Sequence, residues 1–196
     1  TTSPSKNVCF SVKNLSTINE YGKEVLHDVS FDVHEGEILG IAGVEGNGQS
    51  ELVKVLTGLM TTTSGCVTLD GKDVTNQWPD TLRSEGIAII PEDRFEDGLC
   101  ATMSVADNCI AGHHGNSAVC KHGLLNRKSI LARRNDLLSK YDIRVGDVDG
   151  DVGALSGGNA QKVIIARELE SSPKFLIACQ PTRGVDIGAT ESIHEE

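Results

Sequence analysis

The 196-residue sequence has few aromatic side chains, no run of basic residues and no long apolar stretch. Aromatic residues make up 4% of it, and 28 acidic against 18 basic side chains give a net charge of −10. Without a basic block, charge alone favours neither nucleic acid nor an anionic membrane as a partner. No apolar stretch approaches the ~20 residues of a transmembrane helix, and no signal peptide opens the sequence. The residue in excess is glycine, with 21 copies, and its positions carry the prediction of function.

The six cysteines show no C-x-x-C pair and no regular spacing. Disulfide frameworks are typical of much shorter secreted chains, so we expect reduced thiols and a cytosolic compartment. One glycine-rich stretch holds several candidate zinc ligands: Cys109, His113, His114, Cys120 and His122. Structural zinc sites show a closely spaced pair of ligands at each end, and such pairs are missing here. We therefore favour a surface loop over a zinc site.

Two segments near the start of the sequence, 8–15 and 25–33, alternate apolar and polar residues. This alternation predicts half-buried antiparallel strands. The segment 37–42 contains a continuous apolar run, which predicts a strand buried on both faces. A helix over about 49–56 follows. Further strands are predicted at 66–69, 86–90 and 175–178.

From Ser104 onward the spacing of the apolar residues becomes helical. An amphipathic helix is predicted around 130–141, and another helix follows Leu155 and continues to about Leu169. A strand, a glycine loop, helices and a further strand in this order predict an α/β core with a helical insert. We place the helical insert at about 100–170.

The first glycine cluster lies between the predicted buried strand and the helix that follows it. It consists of Gly43, Val44, Glu45, Gly46, Asn47, Gly48, Gln49, Ser50 and Glu51. Its outer glycines and its serine match the P-loop G-x-x-x-x-G-K-[ST], whose backbone N–H groups and helix N-terminus face phosphate oxygens. Gln49 stands at the position of the P-loop lysine. Alone, this segment is equally compatible with a plain glycine turn.

A second glycine cluster precedes the helix that ends near Leu169. Its residues are Leu155, Ser156, Gly157, Gly158, Asn159 and Gln161, and the predicted strand 175–178 comes after that helix. In this order the two clusters and the strand resemble the nucleotide-binding domain of ATP-binding cassette (ABC) transporters. The segment 155–161 is similar to the family's LSGGQ-type signature, and the resemblance covers the chain from about Val8.

That resemblance implies roles for five more residues. It places Cys179 at the position of the Walker B aspartate and Gln180 at that of the catalytic glutamate. Glu92 falls at the Q-loop glutamine, Asp186 at the D-loop aspartate and Tyr21 at the adenine-stacking aromatic residue. The fold it implies is an α/β P-loop NTPase core with an antiparallel β subdomain and a helical subdomain. We expect a linker at 1–7 and the ABC domain at 8–196, with the closing C-terminal strands of the domain missing.

The details are similar to one branch of the family, the second cassette of tandem two-cassette ATPases that drive bacterial importers of simple sugars and nucleosides. Four segments together carry this narrower resemblance: 43–52 with Gln49, 91–94 (Pro-Glu-Asp-Arg), 155–161, and 177–186 with Gln180. The neutral stretch 178–181 leans toward the nucleoside type rather than the sugar type.

The substitutions predict that this cassette's own ATP site is impaired. Gln49 replaces a cation at the phosphates, and Cys179 and Gln180 replace two carboxylates. We therefore expect weak binding of ATP and of Mg²⁺, with Ser50 and Cys179 at the metal positions, and little hydrolysis. The signature at 155–161 is intact, which predicts that it completes the ATP site of a partner cassette.

The resemblance also implies the partners. They are a partner cassette in the same polypeptide, transmembrane permease subunits and an extracytoplasmic solute-binding protein, with this chain at the cytoplasmic face of the membrane and no nucleic acid bound. Two alternatives stay open: a fully active ABC ATPase that tolerates the substitutions, and an ABC-type ATPase of DNA maintenance. The second would show long heptad arms or a basic surface, and the sequence has neither.

Overall fold

The structure, a computed structural model, describes residues 5–44, 46–185 and 190. It consists of two compact units, Thr1–Ile87 and Ala88–Glu196. Within the described residues, no helix is both long enough and apolar enough to cross a bilayer.

The first unit is built on a four-stranded antiparallel sheet. Strand β1 (Val8–Ile18) lies between β2 (Glu24–His34) and β3 (Ser64–Leu69), and β4 (Lys72–Asp73) pairs with the far side of β3. The predicted pair of antiparallel strands is confirmed, and each strand extends slightly beyond its predicted bounds. Alternation works as a predictor here because one face of β1 is buried, with Phe10 and Leu15 among its fully buried residues.

Two helices complete the first unit. Helix α1 (Gln49–Leu56) has the predicted bounds, and its buried face consists of Leu52, Val55 and Leu56. Helix α2 (Pro79–Glu85) begins with a proline, whose missing N–H is not needed in the first turn of a helix.

The predicted buried strand at 37–42 is wrong. These residues form neither strand nor helix, and Ile38 and Ile41 are 98% and 55% exposed. An apolar run becomes a buried strand only where neighbouring strands satisfy its backbone N–H and C=O groups. Among the described residues, none of the sheets includes 37–42, so the apolar pattern alone does not produce a strand.

The second unit has its core around one helix. Helix α5 (Gly157–Leu169) packs with α4 (Arg127–Lys140) in a cluster of buried apolar side chains, in which Ile164 is fully buried. Strands β5 (Ile87–Ile90) and β8 (Phe175–Ala178) form a two-stranded sheet. The predicted helices and strands in these four segments are confirmed.

Helix α5 also carries a buried ion pair. The Nε of Arg167 lies 2.8 Å from an oxygen of Glu168, and both side chains are at most 5% exposed. The same guanidinium donates hydrogen bonds to the backbone oxygens of Gly98 at 3.0 Å and Asn108 at 3.3 Å. Because both charges have partners, the pair is tolerated in the core.

Short elements complete the second unit. They are a π-helical turn at Arg94–Gly98, α3 (Val105–Asn108), a small hairpin of β6 (Cys120–Lys121) and β7 (Leu124–Leu125), and a 3₁₀ turn at Val152–Ala154. Within the described residues, no three His, Cys, Asp or Glu side chains form a group that could hold a metal ion. In the stretch considered for zinc, Cys109 lies in the core, and burial raises the pKa of its thiol to about 11.

Candidate functional site

The first glycine cluster lies in the first unit and leads into α1. Gly48 caps this helix with a φ of 95°, and a Cβ at this position would lie 2.9 Å from the backbone oxygen of Val25. Both the left-handed backbone and the close approach therefore require glycine. The Leu52 N–H donates to the Gly48 oxygen at 2.8 Å, so the helix starts directly at the loop. Glu45 lies outside the described residues.

Gln49 lies across this glycine loop. Its side-chain carboxamide packs over Gly43, where an added Cβ would overlap the amide nitrogen. No lysine or arginine occurs between 43 and 51, whereas Glu45 and Glu51 are acidic. A phosphate group at this loop would meet backbone N–H groups and a helix N-terminus, but no cationic side chain from the loop itself.

Tyr21 lies in the turn between β1 and β2. The side-chain oxygen of Asn19 accepts hydrogen bonds from the N–H groups of Tyr21 and Lys23, both at 3.0 Å, which fixes the shape of the turn. The Tyr21 side chain is 83% exposed. An exposed, positioned aromatic ring of this kind can stack on a nucleobase.

The structure brings three of the predicted site residues together in the second unit. The amide nitrogen of Gln180 donates to the Glu92 carboxylate at 2.9 Å, and Arg183 forms an ion pair with the same oxygen. The Cys179 N–H donates to the backbone oxygen of Ile90 at 2.9 Å. The carboxylate of Glu92 is therefore already engaged by one amide and one guanidinium. Asp186, the expected D-loop residue, lies outside the described residues.

Cys179 does not fit the role of a Mg²⁺ ligand. Burial raises the pKa of its thiol, and the negative charge of Glu92 raises it further. The group is thus a neutral, soft sulfur, whereas Mg²⁺ takes hard oxygen ligands. The exposed hydroxyl of Ser50 is of the kind that Mg²⁺ accepts, but one hydroxyl does not make a metal site.

The second glycine cluster forms the start of α5, as predicted. Ser156 caps the helix: its hydroxyl accepts from the backbone N–H of Asn159 at 3.4 Å and from the Asn159 amide at 3.0 Å. The first N–H groups of a helix, here those of Gly157 and Gly158, have no acceptor within the helix. Together with the helix dipole they favour an anion at this end.

The outer residues of the signature segment hold it in place. Leu155 packs against the core cluster, and Gln161 is 3% exposed. The side-chain oxygen of Asn159 accepts from the Arg144 N–H at 2.8 Å. The surface that a ligand could contact is therefore the helix start itself, around Ser156.

Three residues of the second unit make contacts that the sequence did not predict. Asp93 accepts from two N–H groups of the following turn, those of Phe95 and Glu96, and these bonds lower its pKa. Arg183 binds Glu92, and Arg94 reaches the backbone of two other segments. Each of the two segments that Arg94 reaches contains a glycine, and glycine is the one signal in the sequence that another part of the chain comes close there. The spacing of residues along the chain does not identify which side chain comes close.

Two helices that start at glycine clusters, one of them directly after a P-loop-like segment, are the features expected of a nucleotide-binding α/β domain. The chain belongs to the ABC transporter family, because the family model described as ABC transporter matches residues 26–183. The predicted fold class, an ABC-type P-loop NTPase with an antiparallel sheet, is confirmed.

Curated relatives and solved structures agree with this assignment. The nucleoside import ATP-binding protein NupA of Lactococcus lactis is 41% identical over 190 residues, which are 97% of this chain and 38% of NupA. The glucose import ATP-binding protein TsgD13 of Haloferax volcanii is 43% identical over 185 residues, 93% of this chain and 34% of that protein. The structure of cbiO1 from Clostridium perfringens, part of an ABC transporter complex, matches with a TM-score of 0.72 at 25% identity, covering 97% of this chain and 72% of cbiO1.

The chain thus spans just over a third of the length of these curated relatives, 38% of one and 34% of the other.

Proposed function

We propose that this chain is an ATP-binding cassette of an importer for nucleosides or simple sugars, with an impaired ATP site of its own and an intact signature. The names of the relatives, a nucleoside and a glucose import ATP-binding protein, support the importer. One observation supports the combination of an impaired ATP site and an intact signature. The signature serine caps α5 at the surface, while Gln49 stands at the position of the P-loop lysine.

The glycine loop supports weak nucleotide binding. The start of α1 supports this proposal, since Gly48 caps the helix and a helix N-terminus favours phosphate. The cation is missing, and the charged side chains between 43 and 51 are both acidic. Because a charge-assisted hydrogen bond is about twice as strong as a neutral one, Gln49 holds phosphate less tightly than a lysine does.

The second unit supports poor hydrolysis. A positioned acid or base contributes typically ~10²–10⁴-fold to a reaction rate, and Gln180 has no carboxylate to act as one. Its amide donates to Glu92, whose carboxylate is also bound by Arg183. The metal position at Cys179 carries a neutral thiol. No step of ATP hydrolysis is therefore assigned to this chain's own residues.

The signature supports a role at a partner's ATP site. In the proposed arrangement two cassettes pair head to tail, and the start of α5 faces the γ-phosphate held by the partner's P-loop. The Ser156 hydroxyl and the N–H groups of Gly157 and Gly158 would then bind phosphate oxygens, aided by the helix dipole.

The remaining partners follow from this function. We propose that the partner cassette belongs to the same polypeptide, and that transmembrane permease subunits carry the transported molecule across the membrane. A solute-binding protein outside the membrane would deliver that molecule. This chain would act at the cytoplasmic face, with segment 92–98 and the helical part of the second unit as the docking region for the permease.

Transport assays with two variants test the proposal. In the full-length protein within its transporter, Ser156→Arg is expected to abolish uptake of labelled nucleoside or sugar, because it blocks the phosphate-facing helix start. Gln49→Ala is expected to change uptake little. Ser84→Arg, the same substitution at an exposed position of α2 in the first unit, is the matched control. Loss of uptake with Gln49→Ala and normal uptake with Ser156→Arg would contradict the proposal.

A further inference from the structure

Arg94 links two separate segments of the second unit. Its Nη1 donates to the backbone oxygen of Gly157 at 3.0 Å, in the first turn of α5. Its Nη2 lies 3.2 Å from the backbone oxygens of Arg183 and Gly184. One half-buried guanidinium thus spans the start of the signature helix and the segment that follows Gln180.

Both glycines that Arg94 contacts leave little space for a side chain while the guanidinium is in place. At Gly184, where φ is +65°, an added Cβ would lie 2.7 Å from the Nη2 of Arg94. At Gly157 it would lie 3.2 Å from the backbone oxygen of Gly184 and 3.4 Å from the Nη1 of Arg94. The two backbones therefore approach each other closely, and the guanidinium fills the space beside them.

The residue two positions earlier reinforces the same connection. Glu92 binds the side chains of Gln180 and Arg183. Arg94 binds backbone oxygens both at the start of α5 and in the segment that follows Gln180. Between these two residues, Asp93 accepts the N–H groups that start the π-helical turn. The turn at 92–94 is thereby fixed, and both of its long side chains are directed at the same neighbouring segment.

We propose that Arg94 is a positioning residue, which holds the start of α5 in one orientation relative to 183–184 and so presents Ser156 to a phosphate. This inference rests on the proposed role of the signature at a partner's ATP site. The planar guanidinium carries donors on two separate nitrogens, Nη1 and Nη2, and each binds a different segment. The three N–H groups of a lysine ammonium share one nitrogen on a flexible stem and do not reproduce this fork.

Substitutions in the full-length transporter test this role. Arg94→Gln is expected to lower kcat for ATP hydrolysis about tenfold to a hundredfold, because a displacement of about 1 Å at a reacting centre costs up to ~10² in rate. The KM for ATP is expected to change little, since the partner's P-loop supplies most of the contacts to ATP. Arg94→Lys is expected to restore little of the loss. Arg83→Gln, the same substitution at an arginine of α2 in the first unit, is the matched control.

Hydrogen exchange gives a readout of position that is independent of activity. The Asn159 and Ala160 amides donate to Ser156 and are expected to exchange faster in Arg94→Gln than in the unmodified protein, without a matching change in α4. Gly184→Ala, which displaces the guanidinium but keeps its charge, is expected to have the same two effects. In the double variant the losses of kcat are expected not to add, because both substitutions act through one contact.

The outcomes separate this inference from the proposed function. Unchanged exchange at Asn159 and Ala160 and unchanged kcat in Arg94→Gln, with Ser156→Arg inactive, would overturn the positioning role alone. Faster exchange in Arg94→Gln, with full activity in Ser156→Arg, would overturn the proposed function. A loss of folded protein with normal kcat for each folded complex would show that Arg94 serves only stability, and would also overturn the inference.

Discussion

Restoring the cation of the glycine loop is expected to strengthen nucleotide binding at this chain's own site. In Gln49→Lys the new side chain replaces a carboxamide that already lies across the loop, over Gly43. The glycine leaves room for a longer side chain, and the start of α1 keeps the backbone N–H groups directed at the loop. The substitution therefore changes the charge while the backbone cradle stays as it is.

The size of the effect follows from the type of hydrogen bond. A hydrogen bond to a charged group contributes about 1.5–3 kcal/mol and a neutral one about 0.5–1.5 kcal/mol. The exchange is thus worth about 1–2 kcal/mol, which corresponds to about a fivefold to thirtyfold decrease in Kd. The acidic residues Glu45 and Glu51 lie in the same segment and repel phosphate in the unmodified protein and in Gln49→Lys alike. They therefore do not remove the difference in Kd between the two proteins.

Calorimetric titration of the full-length protein with a non-hydrolysable ATP analogue measures this change. We expect the weaker class of sites to tighten in Gln49→Lys, while the tighter class is unaffected. Gln77→Lys, which adds the same charge at an exposed position of the first unit, is the control and is expected to leave both classes unchanged. An unaltered Kd in Gln49→Lys would refute the argument that the missing cation weakens this site.

Three further predictions concern the second unit. Cys179 is expected to react slowly with iodoacetamide near neutral pH and faster in Glu92→Gln, because burial and the Glu92 charge both raise the pKa of its thiol. Peptide mass spectrometry measures the two rates, and equal rates would argue against the effect of the Glu92 charge. Glu168→Ala is expected to lower the free energy of unfolding by about 3–5 kcal/mol, because the buried charge of Arg167 loses its carboxylate partner. Urea denaturation checks this, and a loss near zero would contradict it. Lys140 holds the pKa of Glu170 below its ordinary value of 4.5. The contribution of this ion pair to folding stability is therefore present above pH 4.5 and is lost as the pH falls through the lower pKa of the folded state. Glu170→Gln should flatten this part of the profile of unfolding free energy against pH, and an unchanged slope at acid pH would count against the pair.

Local patterns predicted most elements because their causes are local. The alternation in β1 reflects a sheet with one buried face, and the start of α1 follows from a glycine in left-handed conformation. The apolar run at 37–42 misled the prediction because a buried strand also depends on its hydrogen-bonded neighbours, which no local pattern contains. The structure leaves Ile38 almost fully exposed.

The candidate site was predictable as residues but not as contacts. The two glycine clusters and the substitutions at Gln49, Cys179 and Gln180 are visible in the sequence. The engagement of Glu92 by Arg183 and the reach of Arg94 join residues far apart in the chain. Such contacts depend on how β5, β8 and α5 pack, which spacing along the chain does not determine.

The central claim is that the signature of this chain completes the ATP site of a partner cassette, and that ATP is not hydrolysed at this chain's own glycine loop. Single-turnover hydrolysis tests this claim most directly. Labelled ATP would be followed in the full-length transporter after removing the P-loop hydroxyl here, by Ser50→Ala, or the equivalent hydroxyl of the partner cassette. The account predicts an unchanged rate for Ser50→Ala and no turnover for the partner variant. Equal losses from the two substitutions, or a loss from Ser50→Ala alone, would contradict it.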